Sequence, residues 1–183
     1  MIEVRFHGRG GQGAVMASKI LATAFVKIKK YGASFPMFGF ERRGAPVTAF
    51  GRFSKEPIRE KTQIYNPDIL MVLDPSQKNS SAVFQGLVSG GIMIINYDND
   101  PNDISHENLE TIGSIDANTI SIEEIGMAMP NTCLLGAFAK VTGTIDLKPV
   151  IESFKDYFQG EKLEANARCA KRGFDEVKIL IKN

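Results

Sequence analysis

Six residues near the start of the chain, Gly8-Arg9-Gly10-Gly11-Gln12-Gly13, constrain its fold more than any others. They follow a short apolar stretch, Ile2 to His7, and precede a helical pattern that runs to about Lys30. Glycines at the spacing G-x-G-x-x-G specify a tight turn from a strand into a helix. Such a turn brings backbone N–H groups to the positive end of a helix, where an anion is stabilised. The same turn can also join strand to helix and bind nothing. In either case the chain begins as a βα unit, and its later segments must supply further strands for a sheet.

The hydrophobic pattern beyond the turn supplies them. The first helix carries Ala17, Ile20, Leu21, Ala24 and Ile28 on one face and closes near Tyr31-Gly32. A short strand over 33–35 completes a first βαβ unit, and 36–46 reads as an irregular loop. Val47 to Phe53 predicts a strand, with Ile58 to Ile64 as its antiparallel partner across Lys55-Glu56-Pro57. Ile69 to Leu73 and Ile92 to Ile95 are continuous apolar runs of the kind that form buried parallel strands. A helix is predicted over 77–88 between them, and a polar excursion over 97–110 after them. Thr111 to Asp116 is a further strand, and Ser121 is a candidate cap for a short helix. Pro130-Asn131-Thr132 opens an apolar helix to about Val141, in which Gly136 signals close approach of another backbone. Asp146 caps a helix bearing Leu147, Val150, Ile151, Phe154 and Phe158. A last helix is predicted from Glu161 to Ile181, with a narrow stripe of Leu163, Ala167, Ala170, Phe174, Val177 and Ile181. That stripe suits a core, or a partner chain. The expected architecture is α/β: one Rossmann-like three-layer domain over 1–183, its sheet mainly parallel with an antiparallel hairpin insert.

Composition removes several functions. With 183 residues and a net charge of +1, the chain has the size for one full core and no bulk attraction to nucleic acid or a membrane surface. No apolar run reaches transmembrane length, and the chain enters a strand at once without a leader, so a cytoplasmic location is expected. The two cysteines, Cys133 and Cys169, lie outside any C-x-x-C pair. They read as buried thiols and are too few for an iron–sulfur cluster. His and Cys nowhere stand at metal-ligand spacing.

Ligands of α/β folds gather at the carboxyl ends of the strands. Those ends here are His7 with the glycine loop, Asp74 to Ser76, and Asn96, expected along one rim. A dinucleotide site needs an acid about 20 positions after the glycines, to hold the ribose hydroxyls. No Asp or Glu occurs between Glu3 and Glu41, and no Arg between Arg9 and Arg42, so NAD is poorly served. The glycine loop instead offers Arg9 and Gln12 as extra donors. A second stretch, Phe38-Gly39-Phe40-Glu41-Arg42-Arg43-Gly44-Ala45-Pro46-Val47, sets aromatics around two guanidinium groups. These can fork onto phosphate, or Glu41 can simply pair with one of them on the surface. His7 reads as a structural histidine before a general base, His106 suggests no role, and Asn131 is both a natural cap and a candidate amide donor to a ligand.

Four segments in this order resemble the gamma subunits of the 2-oxoacid:ferredoxin oxidoreductases, most of all those of the pyruvate enzymes. They are Phe6-His7-Gly8-Arg9-Gly10-Gly11-Gln12-Gly13, Glu41-Arg42-Arg43-Gly44-Ala45-Pro46, Pro130-Asn131-Thr132 through Leu134-Leu135-Gly136-Ala137, and Asn166-Ala167-Arg168 with Lys171-Arg172-Gly173-Phe174. The resemblance implies a multi-subunit enzyme that converts pyruvate to acetyl-CoA and CO2 and reduces ferredoxin. It implies alpha, beta and delta partners, with thiamine diphosphate, Mg2+ and iron–sulfur clusters held there and none by this chain. No residue of this chain is then expected to be catalytic, and none to bind a metal. Coenzyme A is the expected shared ligand, near Gly10, Gly11, Gln12, Gly13, Arg42, Arg43 and Asn131. Two alternatives stay open: a scaffold subunit that binds no small molecule, and a gamma subunit serving branched-chain, aryl or 2-oxoglutarate substrates.

Overall fold

A computed structural model describes residues 1–37 and 44–182 of the chain. Thirteen main elements follow in order: β1 (Ile2–Arg9), α1 (Ala14–Lys27), β2 (Tyr31–Pro36), β3 (Pro46–Ser54), β4 (Ile69–Val72), α2 (Ser81–Phe84), β5 (Gly91–Asn96), β6 (Leu109–Ile115), α3 (Ala117–Ile125), α4 (Asn131–Thr142), α5 (Leu147–Ser153), α6 (Gly160–Glu176) and β7 (Lys178–Ile181). The strands form one seven-stranded sheet in the order β2-β3-β1-β4-β5-β6-β7. Its middle pairs, β1 with β4, β4 with β5 and β5 with β6, are parallel. Antiparallel pairs close both edges.

The apolar runs account for the middle. Every residue of β4 is buried, as a strand covered on both faces requires. In β1 the side chains alternate. Val4 and Phe6 join the main core under α1 and α4, while Arg5 and His7 point to the opposite face. The main core also takes Ala17, Ile20, Leu21 and Ala24 of α1, as their spacing predicts, with Ile28 packed at its margin. A smaller core on the other face joins Leu70, Val72, Met93 and Ile95 to Val83, Phe84 and Leu87. That second layer is thin, being built from α2 and irregular chain. The α4–α6 crossing is so close that a Cβ on Gly136 would lie 1.8 Å from the carbonyl oxygen of Ala170. Gly136 therefore does what its place in an apolar helix suggests.

Five local expectations are corrected. The strand over 33–35 lengthens to β2 and runs parallel to β1, but β3 lies between them. Residues 58–64 form no strand; β3 is flanked by β1 and β2, and the carbonyls of Thr62 and Ile64 are instead taken by the buried guanidinium groups of Arg52 and Arg5. The predicted helix over 77–88 is reduced to a 3-10 turn at Pro75–Gln77 and the short α2. Gly86, at φ 75°, sits against the Tyr65 carbonyl and stops it. The last helix ends at Glu176, and Lys178–Ile181 pairs antiparallel with β6 as β7. Alternating β-branched residues, Val177, Ile179 and Ile181, favour a strand there over a further helical turn. The cap of α3 is Asp116, whose carboxylate accepts from the Thr119 N–H at 3.0 Å, and Ser121 lies within the helix. Among the described residues no helix is long and apolar enough to cross a membrane.

Candidate functional site

The glycine loop opens into a cleft of about 500 Å3 between the start of α1, the α3–α4 connection and α6. Gly13 caps α1 in the left-handed region at φ 84°, and Gly11 stands at φ 101°. The first helical N–H groups of α1 lack intrahelical acceptors, as at any helix start. Those of Gly11 and Gly13 meet no backbone or side-chain acceptor among the described residues. Gly10 differs: its N–H goes to the Ala45 carbonyl at 2.9 Å, and its own carbonyl accepts from Gly44 N–H at 3.3 Å. The second motif is therefore laced to the first by its Gly44-Ala45 end. Arg42 and Arg43 lie outside the described residues.

Arg9 and Gln12 brace the loop. Arg9 Nε donates to Asp74 Oδ2 at 2.5 Å, and Nη2 reaches Ser76 Oγ at 3.2 Å. Burial opposes the charge of Asp74. The hydrogen bonds from Ser76 and the Arg9 guanidinium outweigh that cost, so its carboxyl stays below the usual range. Gln12 Oε1 accepts the Arg9 N–H at 2.7 Å, and Gln12 does not line the cleft. The expected rim is thus continuous. It is held by Arg9–Asp74 and by Asn96, which donates to the Leu73 carbonyl and caps the start of α3 through Ala117 N–H.

Asn131 is the polar group best placed to read a ligand. It begins α4 and is 1 % exposed. Its Oδ1 accepts the Thr132 N–H at 2.8 Å, which fixes the amide plane. Its Nδ2 lies against Gly13, so close that a Cβ there would sit 2.6 Å away, and it donates to no described residue. Beside it Thr132 Oγ1 donates to Asn166 Oδ1 at 3.0 Å, joining the Pro130-Asn131-Thr132 and Asn166-Ala167-Arg168 segments at the cleft wall.

Sequence reasoning missed the apolar half of the cleft and its outer cation. Met16, Ile125, Met127, Met129 and Phe158 line it with apolar surface, and the exposed Lys162 borders it. Ser121 Oγ accepts the Met129 N–H at 2.9 Å and so fixes the methionine loop. The Met-Ala-Met run just before Pro130 was the available signal, since methionine is common on surfaces that adapt to a ligand. Lys162 had none, because its placement depends on how α6 docks.

His7 is structural. Burial, and then the adjacent Arg5 guanidinium, push its pKa down to about 3. Its Nε2 accepts from Arg5 Nε at 3.0 Å, so the basic nitrogen is occupied.

The profile of the family described as Pyruvate ferredoxin/flavodoxin oxidoreductase matches residues 3–176. The chain is 47% identical over 183 residues to the pyruvate/ketoisovalerate oxidoreductases common subunit gamma of Pyrococcus furiosus, covering 98% of this chain and 99% of that one. It superposes with a TM-score of 0.87 on the crystal structure of pyruvate oxidoreductase subunit PORC from Thermotoga maritima, at 36% identity and 97% coverage of each. At 20% identity and a TM-score of 0.74 it shares the fold of part of a 2-oxoglutarate:ferredoxin oxidoreductase from Magnetococcus marinus. That structure holds 2-oxoglutarate, coenzyme A and succinyl-CoA; 94% of this chain covers 30% of that one.

Proposed function

The chain belongs to the pyruvate ferredoxin/flavodoxin oxidoreductase family as the gamma subunit of a 2-oxoacid:ferredoxin oxidoreductase, and from that premise we propose that its cleft holds coenzyme A for acyl transfer. One observation carries this reading. A turn with N–H donors, a buried amide donor and an apolar wall converge in one cleft of about 500 Å3, within the size range of small-ligand sites. Coenzyme A has the matching parts: phosphates for the turn and an apolar arm for the methionines. Gly11, Gly13 and the first turn of α1 would donate to phosphate, with Asn131 Nδ2 beside them. Gly10 and Gln12 would hold the turn in shape instead of touching the ligand. Arg42 and Arg43, reached through Gly44, would bring charge to a phosphate, and Lys162 to another at the mouth.

Thiamine diphosphate with Mg2+ and the iron–sulfur clusters would be held by the alpha, beta and delta partners, where they would supply the decarboxylation and the electron path to ferredoxin. This chain positions the thiol carrier and covers it from water. Pyruvate is the proposed 2-oxoacid, and the resemblance to subunits that serve pyruvate enzymes supports it.

In the assembled complex, Asn131→Ala, and separately Arg42→Ala with Arg43→Ala, should raise the KM for coenzyme A about tenfold, a loss of about 1.4 kcal/mol. The KM for pyruvate should not move. An unchanged KM for coenzyme A in both variants would overturn the reading and leave a scaffold.

A further inference from the structure

A second cleft, of about 720 Å3, opens on the face of the sheet turned away from α1. It lies among β1, β3, the 63–66 segment and α2. Two buried arginines reach this face from neighbouring strands, and they differ in one respect. Arg52 on β3, 2 % exposed, donates to Glu3 Oε1 at 2.6 Å and lies 3.7 Å from a Glu60 carboxylate oxygen. Arg5 on β1, 7 % exposed, meets no carboxylate among the described residues. Its Nη2 donates to the carbonyls of Val83 and Gln85 at 2.8 and 2.6 Å, and its Nε donates to His7. Among the described residues its Nη1 has only the Ile64 carbonyl, at 3.5 Å. His7 is neutral and brings no compensating charge. Among the described residues no anion balances this buried cation, and a carboxylate is the group that would.

The same cleft holds a second unanswered group. Gln77 Oε1 is buried and accepts no hydrogen bond from any described residue. At the mouth stand two large apolar side chains in water: Tyr65, 70 % exposed, and Met37, 44 % exposed. Exposed Tyr and Met around a cationic depression are typical of a protein interface centre, where an aromatic anchor surrounds a charged contact. Among the described residues the layer packed on this face is α2 and irregular chain.

We propose that this cleft is a docking socket for another subunit of the complex, entered by an acidic side chain. Its carboxylate meets Arg5 Nη1, and a backbone N–H of the same segment meets Gln77 Oε1. The inference rests on the chain working inside an assembly. It is independent of coenzyme A, whose cleft lies on the other face.

The test uses the purified remaining subunits of the complex and measures their Kd for the wild-type chain, Gln77→Glu and Tyr65→Ala. Gln77→Glu places a negative charge in the socket, and Tyr65→Ala removes an exposed anchor that the fold does not need. Each should weaken assembly at least about tenfold, while Tyr65→Ala leaves the Tm of the isolated chain unchanged and Gln77→Glu does not lower it. Wild-type Kd in both variants overturns the socket. Failure of the wild-type chain to assemble overturns the subunit reading instead. Acetate titrated into the isolated chain separates a free carboxylate from a protein one: a saturable thermal shift, with assembly unaffected in the variants, overturns docking.

Discussion

Gly13→Ala tests the geometry of the proposed coenzyme A cleft most directly, because two separable penalties meet at that position. Gly13 sits at φ 84°. An alanine in the left-handed region costs about 1–2 kcal/mol. The added methyl also meets Asn131, with Nδ2 at 2.6 Å, Cγ at 3.0 Å and Cβ at 3.2 Å. Asn131 cannot simply swing away, since it is buried and its Oδ1 holds the Thr132 N–H. Overpacking of this kind costs about 1–3 kcal/mol. The sum is about 3 kcal/mol, which lowers Tm by roughly 6–12 °C in a chain of this length. Thermal unfolding of Gly13→Ala, Asn131→Ala and the double variant measures the two parts. Truncating Asn131 removes the Nδ2 and Cγ contacts but leaves the φ penalty, so the pair should couple by about 1–2 kcal/mol. In the assembled complex Gly13→Ala should also raise the KM for coenzyme A, by displacing the Asn131 amide. Strictly additive effects, or a Tm equal to wild type, would refute the close approach of Gly13 to Asn131.

Two more outcomes are expected from buried groups. The unfolded chain protonates His7 near pH 6.5, whereas the folded chain does so only near 3. Stability should therefore fall as pH drops through that window, by up to about 1.4 kcal/mol per unit. His7→Gln, which keeps an acceptor for Arg5, should flatten this slope in urea melts across the window, and an unaltered slope would refute the assignment. Gly136→Ala should cost about 3 kcal/mol or more in chemical denaturation, because its methyl would meet the Ala170 backbone, which cannot yield as a side chain does; an unchanged midpoint would mean that α4 and α6 do not touch there.

The sheet was legible where hydrophobic runs do the specifying. The stretches that became β1, β4 and β5 are apolar on one or both faces, and no helix of that length could bury them as well. The reading failed where a segment's partner lies far away in sequence. Residues 58–64 follow β3 across a short turn, as a hairpin partner would, but buried arginines on β1 and β3 take the carbonyls of Ile64 and Thr62. No local pattern reports that Arg5 and Arg52 are inside. Val177 and Ile181 fit a helical stripe by spacing, yet an open edge at β6 was available for pairing. Periodicity cannot tell a helix end from an edge strand when only four residues decide.

The site shows the same division at finer grain. Turn residues are legible because glycine at positive φ is a backbone requirement, and Gly11 and Gly13 fulfil it. What each donor faces is not a local property. Gly10 looks equivalent to its neighbours in sequence, but its N–H is bonded to Ala45 from the second motif. Gln12 looks like a free donor and closes back onto Arg9. Asn131 looks like a cap, and it is one through Oδ1, which leaves Nδ2 pointing at Gly13. The loop that seemed to offer a row of equal donors thus has two kinds: those that hold the turn to β4 and to residues 44–46, and those that face the cleft. Substitutions in the first kind should cost stability before affinity, and those in the second affinity before stability. That contrast would separate a ligand site from a scaffold, in which both kinds would act through assembly alone.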